Sequence, residues 1–252
     1  MKNNKNIVKY DNSFNRTSLT LFTKVQSDVL ISVLSHMHKS SSKYNNKYAT
    51  VFSFSEIREM TGSKNLHTSK IKKALDALLD TKVEYYKDGS FTKANLFSHY
   101  KVNEDGKAEI VLTDYMSEKL TLNSSEYTIL ALDEYVKLPN NYSKELYRIL
   151  RQFKHSGVRI IAKQELIRMM NPPKSYNEYD FVRKVLFPAI EENKAFFEGL
   201  SVNVKGKNVL PDKVEFKFKA HKKNNTYDKY KNKKYKENDM EDELLAHIRK
   251  HS

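Results

Sequence analysis

An α+β fold built from two similar units in tandem is predicted by three observations on this 252-residue chain. Apolar residues recur at helical spacing in several separated stretches. Short strand-like runs follow the helices in pairs, and Asp88-Gly89, a strong hairpin signal, joins one such pair. Above all, the order of elements repeats. Residues 54–60 in the first half answer 161–169 in the second, and Ile71-Lys72-Lys73-Ala74-Leu75 answers Val182-Arg183-Lys184-Val185-Leu186. Helix, strand, helix, helix and two-stranded hairpin is the order of a winged helix, a helix-turn-helix variant whose last helix enters the DNA major groove. The expected architecture is two tandem winged-helix domains, residues 17–138 and 139–220, between an N-terminal arm (1–16) and a charged tail (221–252).

The arm reads as flexible, with a short extended piece at Ile7-Val8. A helix is expected from Thr17 or Ser18, because Leu19, Phe22, Val25, Val29, Leu30, Val33 and Met37 keep mostly to one face. Residues 40–46 read as a loop and 50–54 alternate like a strand. Ser55 reads as the N-cap of a short helix that ends at Gly62, and Thr68 as the cap of a longer one with apolar Ile71, Leu75, Leu78 and Leu79. Strands are expected at 82–86, 91–101 and 108–112, then a turn of helix from Asp114 and a strand at 126–132.

The second half is punctuated more sharply. Between Pro139 and Gly157, Leu146, Ile149, Leu150 and Phe153 fall at i, i+3, i+4 and i+7, one face of a helix. Residues 158–162 suit one strand. A short helix over 164–170 is stopped by Pro172-Pro173. Ser175 or Asn177 can cap a third helix with inner face Val182, Val185, Leu186, Ala189 and Ile190, kinked by Pro188. Residues 200–204 and 214–218 close the hairpin. In the tail, seven lysines between 222 and 236 precede five acids between 237 and 243, charge blocks that read as a disordered segment with nonspecific DNA attraction.

Lysine and arginine (45) exceed aspartate and glutamate (31), giving a net charge of +14 and a pI near 9.5. Such an excess points to a polyanionic partner. The absence of cysteine excludes a disulfide frame or a thiolate metal site. No apolar run approaches the roughly 20 residues of a membrane span. The N-terminus shows no secretory signal, so a cytoplasmic protein with no membrane partner is expected.

Reading DNA requires a helix with a buried apolar face and an outward polar one. In the second domain the outward residues are Asn177, Asp180, Arg183, Lys184 and Phe187. Lys174, Ser175 and Tyr176 stand at the helix entrance for phosphates, with Lys205, Lys207 and Lys213 on the wing. Arg183 suits a guanine and Asn177 an adenine. The corresponding set in the first domain is Lys64, Asn65, His67, Thr68, Lys70 and Lys73, with Lys87 and Lys93 on its wing. Catalytic patterns are weak. None of the six glycines forms a phosphate-cradling GxGxxG or GxxxxGK loop. His36-Met37-His38 has the residue types of a metal-dependent nickase. A helix, however, sets i and i+2 about 200° apart, where a strand would align them. Glu191-Glu192 and Glu241-Asp242 lie in polar runs without signs of burial. No catalytic residue, metal or cofactor is expected.

A resemblance sharpens this reading. Tyr142-Ser143-Lys144-Glu145-Leu146-Tyr147-Arg148-Ile149-Leu150-Arg151-Gln152-Phe153-Lys154 resembles the opening signature of the second domain in the iteron-binding replication initiators of theta-replicating plasmids. Residues 179–193, including the internal proline, are similar to that family's recognition-helix segment. The resemblance covers roughly residues 19–219, closely in the second half and mainly in pattern in the first. It implies a monomer that binds directly repeated origin sites in double-stranded DNA, opens the origin and recruits host replication proteins (the host initiator and helicase). It also implies a homodimer in equilibrium with that monomer, formed largely through the first domain, that binds an operator inverted repeat and represses its own gene.

Overall fold

The computed structural model describes residues 6–40, 42–44, 47–87, 90–120, 127–204, 206 and 209–221. Within them the chain runs β1 (Ile7–Asp11), a 3-10 turn (Asn12–Arg16), α1 (Lys24–Ser40), β2 (Ser42–Tyr44), β3 (Lys47–Ser53), α2 (Phe54–Met60), α3 (Thr68–Asp80), β4 (Lys82–Lys87), β5 (Ser90–Asn95), β6 (Phe97–Val102), β7 (Lys107–Leu112), α4 (Asp114–Leu120) and β8 (Tyr127–Ala131). A short α5 (Leu132–Tyr135) leads to α6 (Asn141–Arg151), β9 (Val158–Ala162), α7 (Lys163–Met170), α8 (Glu178–Phe181), a π-helical turn (Val182–Leu186), α9 (Phe187–Asn193), β10 (Ser201–Val202) and β11 (Lys213–Lys217). Each half carries two helices in helix-turn-helix order followed by a hairpin, so the fold is a pair of winged helices.

The N-terminal segment departs from the expected flexible arm. β1 pairs antiparallel with β8, Val8 opposite Leu130 and Tyr10 opposite Thr128. Val8, Tyr10 and Phe14 are fully buried. Asp11 caps the 3-10 turn by accepting from the Ser13 N–H at 2.8 Å. Buried Asn15 accepts from the Tyr10 hydroxyl at 2.9 Å and donates to Thr128 at 2.7 Å. Alternating apolar residues over so short a stretch gave little sign of strand, because the partner strand lies more than a hundred residues away.

Local capping moves several expected boundaries. Thr23 and Gln26 exchange side-chain-to-backbone bonds of 2.7 and 3.3 Å, which starts α1 at Lys24; Leu19 and Phe22 are buried in the preceding turn. The N-cap of α2 is Ser53, not Ser55: Ser53 and Glu56 form a reciprocal capping box. His67, not Thr68, holds the N-cap position of α3. The run expected as one strand over 91–101 breaks at buried Leu96. β5 pairs with β4 as the first wing, whereas β6 joins β7 in a second sheet of order β2-β3-β7-β6. The second winged helix has a three-stranded sheet of order β10-β11-β9. Gly157 adopts φ +71°, and its carbonyl accepts from the Phe218 N–H at 2.8 Å.

One helix serves both cores. α6 was expected to bury a single face, yet every residue from Ser143 to Arg151 is buried. Toward the second unit, Tyr147 packs edge-on against Phe196 and at a tilt on Phe197, and Asn193 donates to the Ser143 carbonyl at 2.9 Å. Toward the first unit it presents charge. Lys144 donates to Asp28 at 2.7 Å and to the Tyr135 carbonyl at 2.6 Å. Glu145 accepts from the Leu19 N–H at 3.0 Å and from Arg148 at 2.9 Å. Arg148 also donates to the Thr17 and Phe14 carbonyls at 3.0 and 2.7 Å. Arg151 reaches the Ile129 carbonyl and Glu134 at 3.0 and 3.2 Å. These contacts make the buried charges tolerable, since nearly every one is met by an opposite charge or a carbonyl.

Candidate nucleic-acid interface

In the first unit the candidates gather around the α2–α3 turn. Arg58, which the sequence did not single out, organises it: its Nε donates to the Leu66 carbonyl at 2.8 Å and its Nη2 to the Thr68 hydroxyl at 2.6 Å. Lys64, Asn65 and His67 are exposed beside it, and with Thr68 they line an open depression of about 590 Å³ at the start of α3. His67 makes no side-chain capping bond, so the first amides of α3 keep their positive end toward that depression. Lys70 and Lys73 are exposed along α3. Lys93 stands on β5 opposite Glu84 of β4 and pairs with it at 3.2 Å. Thr68 is thus a structural tie rather than a free contact group.

In the second unit the candidate reading helix is α8, the π-turn and α9 run together. Lys174 and Ser175 are exposed in the turn before it. Asn177 is its N-cap, accepting from the Asp180 N–H at 2.8 Å. Asp180 pairs with Lys184 at 2.8 Å, and that hydrogen bond raises the Lys184 pKa. The Lys184 amine also lies 4.9 Å from the centre of the half-buried Tyr176 ring. Arg183 is exposed, and no ion pair holds it among the described residues. Glu178 fixes the first turn, accepting from Lys163 at 3.2 Å and from the Leu210 N–H at 2.7 Å, which ties helix and wing into one body. Pro188, expected to kink the helix, follows directly on the π-turn. The Phe187 N–H reaches back five residues to Val182, and Pro188 has no N–H to continue either ladder. Lys205 and Lys207 on the wing, like the tail from residue 222, lie outside the described residues.

The groups weighed for catalysis sit elsewhere. His36 and His38 are on α1; the His36 ring is 2.8 Å from the Thr50 hydroxyl and 3.6 Å from Glu56. Among the described residues no three His, Cys, Asp or Glu side chains are placed to share a metal ion. Glu192 is not simply solvated, as its polar surroundings suggested. It accepts from Asn140 at 3.0 Å and from the Ser143 hydroxyl, joining α9 to the start of α6, and partial burial raises its pKa. Among the described residues no helix is long and apolar enough to cross a membrane.

Two helix-turn-helix units, each with a hairpin wing and each ending its turn in exposed polar and basic residues, define a tandem winged-helix protein. The chain belongs to the initiator replication protein family: the family model described as "Initiator Replication protein, WH1" matches residues 7–151. It is 29% identical over 195 residues to the "Probable replication protein rep" of Bifidobacterium longum (strain NCC 2705), an alignment covering 74% of this chain and 64% of that protein. The chain therefore matches somewhat under two thirds of that relative's length. Its fold is similar to that in the crystal structure of the Pi initiator protein in complex with iteron DNA, with a TM-score of 0.67, 18% identity, and coverage of 87% of this chain and 99% of that one.

Proposed function

We propose that this chain initiates plasmid replication by binding direct repeats in origin DNA, one reading helix from each winged helix entering a major groove. The observation that carries this is the pair of helix-turn-helix units, both with exposed polar residues at the entrance of their second helices, in one strongly basic chain of the initiator family. The structural neighbour of similar fold is itself bound to iteron DNA. Two heads about one helical turn apart would cover roughly 20 base pairs. In this reading the monomer opens the origin and engages host replication proteins, and a homodimer binds an operator inverted repeat to repress the gene. DNA is held by charge and read by side chains, so the reading requires neither cofactor nor catalytic residue.

Footprinting of the region upstream of the gene, at two salt concentrations, tests the proposal. Protection of several evenly spaced direct repeats is the expected result. A single protected palindrome would favour a repressor with no replication role. Strand nicks on adding divalent metal would overturn both readings and turn attention to His36 and His38.

A further inference from the structure

Three polar residues that the sequence nominates on the second reading helix are occupied within the protein. The Asn177 side chain caps the helix by accepting from Asp180, and Asp180 and Lys184 hold each other. Arg183 stays open, and so does a residue the sequence reading passed over. Tyr179 is 46% exposed in the first turn of α8, although tyrosine on a short amphipathic helix usually reads as core. Residues four apart share a helix face, so Tyr179 and Arg183 are neighbours. Glu178, pinned to Lys163 and to the wing at Leu210, fixes the rotation of this turn and so the direction in which Tyr179 projects. The N-terminal residues of a recognition helix are those that meet base edges. In the major groove the apolar group available to an aromatic ring is the thymine C5-methyl.

We propose that Tyr179 reads a thymine methyl in the major groove, next to the base taken by Arg183, so that this pair rather than the Asn177–Asp180–Lys184 cluster sets the sequence preference of the second domain. The inference rests on the DNA-binding reading above. A tyrosine ring half in water gains by covering a methyl group, whereas Asn177 would have to surrender its cap to bind adenine.

The test uses the full chain and a repeat identified by footprinting, with thymines replaced one at a time by uracil, which lacks only the methyl. Wild type, Tyr179→Ala and Tyr179→Phe are compared. At one thymine the wild type should lose about fourfold in affinity, the worth of one methyl withdrawn from water. Tyr179→Ala should bind the normal repeat more weakly and be indifferent to that uracil, and Tyr179→Phe should keep the wild-type sensitivity. Equal uracil sensitivity in wild type and Tyr179→Ala would overturn the proposal. So would Tyr179→Phe behaving as Tyr179→Ala, which would mark a hydroxyl contact to phosphate instead. If the wild type protects no repeat, the DNA-binding reading itself fails, an outcome distinct from both. Thermal melts of the three proteins should coincide, because the ring is not part of the core.

Discussion

Lys144 carries an ammonium group into a place where helical periodicity alone puts solvent. Burial pushes its pKa down to about 8, against the pull of Asp28. The unfolded chain therefore binds this proton more tightly than the folded one, and stability should rise with pH between about 8 and the ordinary lysine value near 10.4. Above about 10 the buried tyrosines oppose this, since burial raises the pKa of Tyr10, Tyr135 and Tyr147 and the unfolded chain ionises first. Melting temperatures measured from pH 7.5 to 10 should climb more in wild type than in Lys144→Met; parallel profiles would remove Lys144 as the cause. Neither this cluster nor Tyr179 was legible in the sequence, and for one reason. A helical wheel sorts residues by type, so it assigns Lys144, Glu145, Arg148 and Arg151 to water and tyrosine to the core. The second partner of α6, contributed by residues 14–28 and 129–135, reverses the assignment for those four charged residues, and Tyr179 reverses it by standing 46% exposed.

At the level of elements, what the chain encodes locally was legible and what it encodes at a distance was not. The apolar faces of α1, α3, α6 and the reading helix follow from spacing, and Asn171 in the left-handed region (φ 43°) ends α7 just before the expected Pro172-Pro173 stop. The break at Leu96 was hidden because a leucine gives no stop signal; the Thr113 N–H and hydroxyl, bonding to the Leu96 and Asn95 carbonyls, turn the chain from one sheet to the other. Gly157 illustrates an encoded element with a steric reason. A Cβ there would lie 2.5 Å from the Phe218 carbonyl oxygen, on a backbone that disfavours side chains. Gly157→Ala should cost about 1–3 kcal/mol from backbone strain, with further loss as β11 is pushed from β9. Gly106→Ala, at φ +76° with nothing within 4 Å, is the control. Equal denaturation midpoints for the two variants would refute the role of the clash.

For the whole molecule, the repeat of element order exposed the two winged helices, while their connection stayed hidden. The expected division at residues 138/139 falls just before α6, as though the chain could be cut into two independent heads. The structure instead gives both heads the same helix: the Tyr147 ring packs on Phe196 and Phe197 of the second and on Tyr135 of the first, while Arg148 bonds to the N-terminal turn. That sharing has a practical consequence for taking the protein apart. A first-domain fragment ending at Leu138 would strip the guanidinium of Arg148 from the Phe14 and Thr17 carbonyls and leave Asp28 without Lys144. One ending at residue 151 would keep those bonds, and the Tyr147 hydroxyl on Glu134, but would lose the packing of the Tyr147 ring on Phe196 and Phe197. A second-domain fragment beginning at Asn140 would carry Glu145 and Arg148 into water, where charged groups are at home. The helix is thus tied to both halves, and either cut leaves some of its side chains without the partners they have in the whole chain.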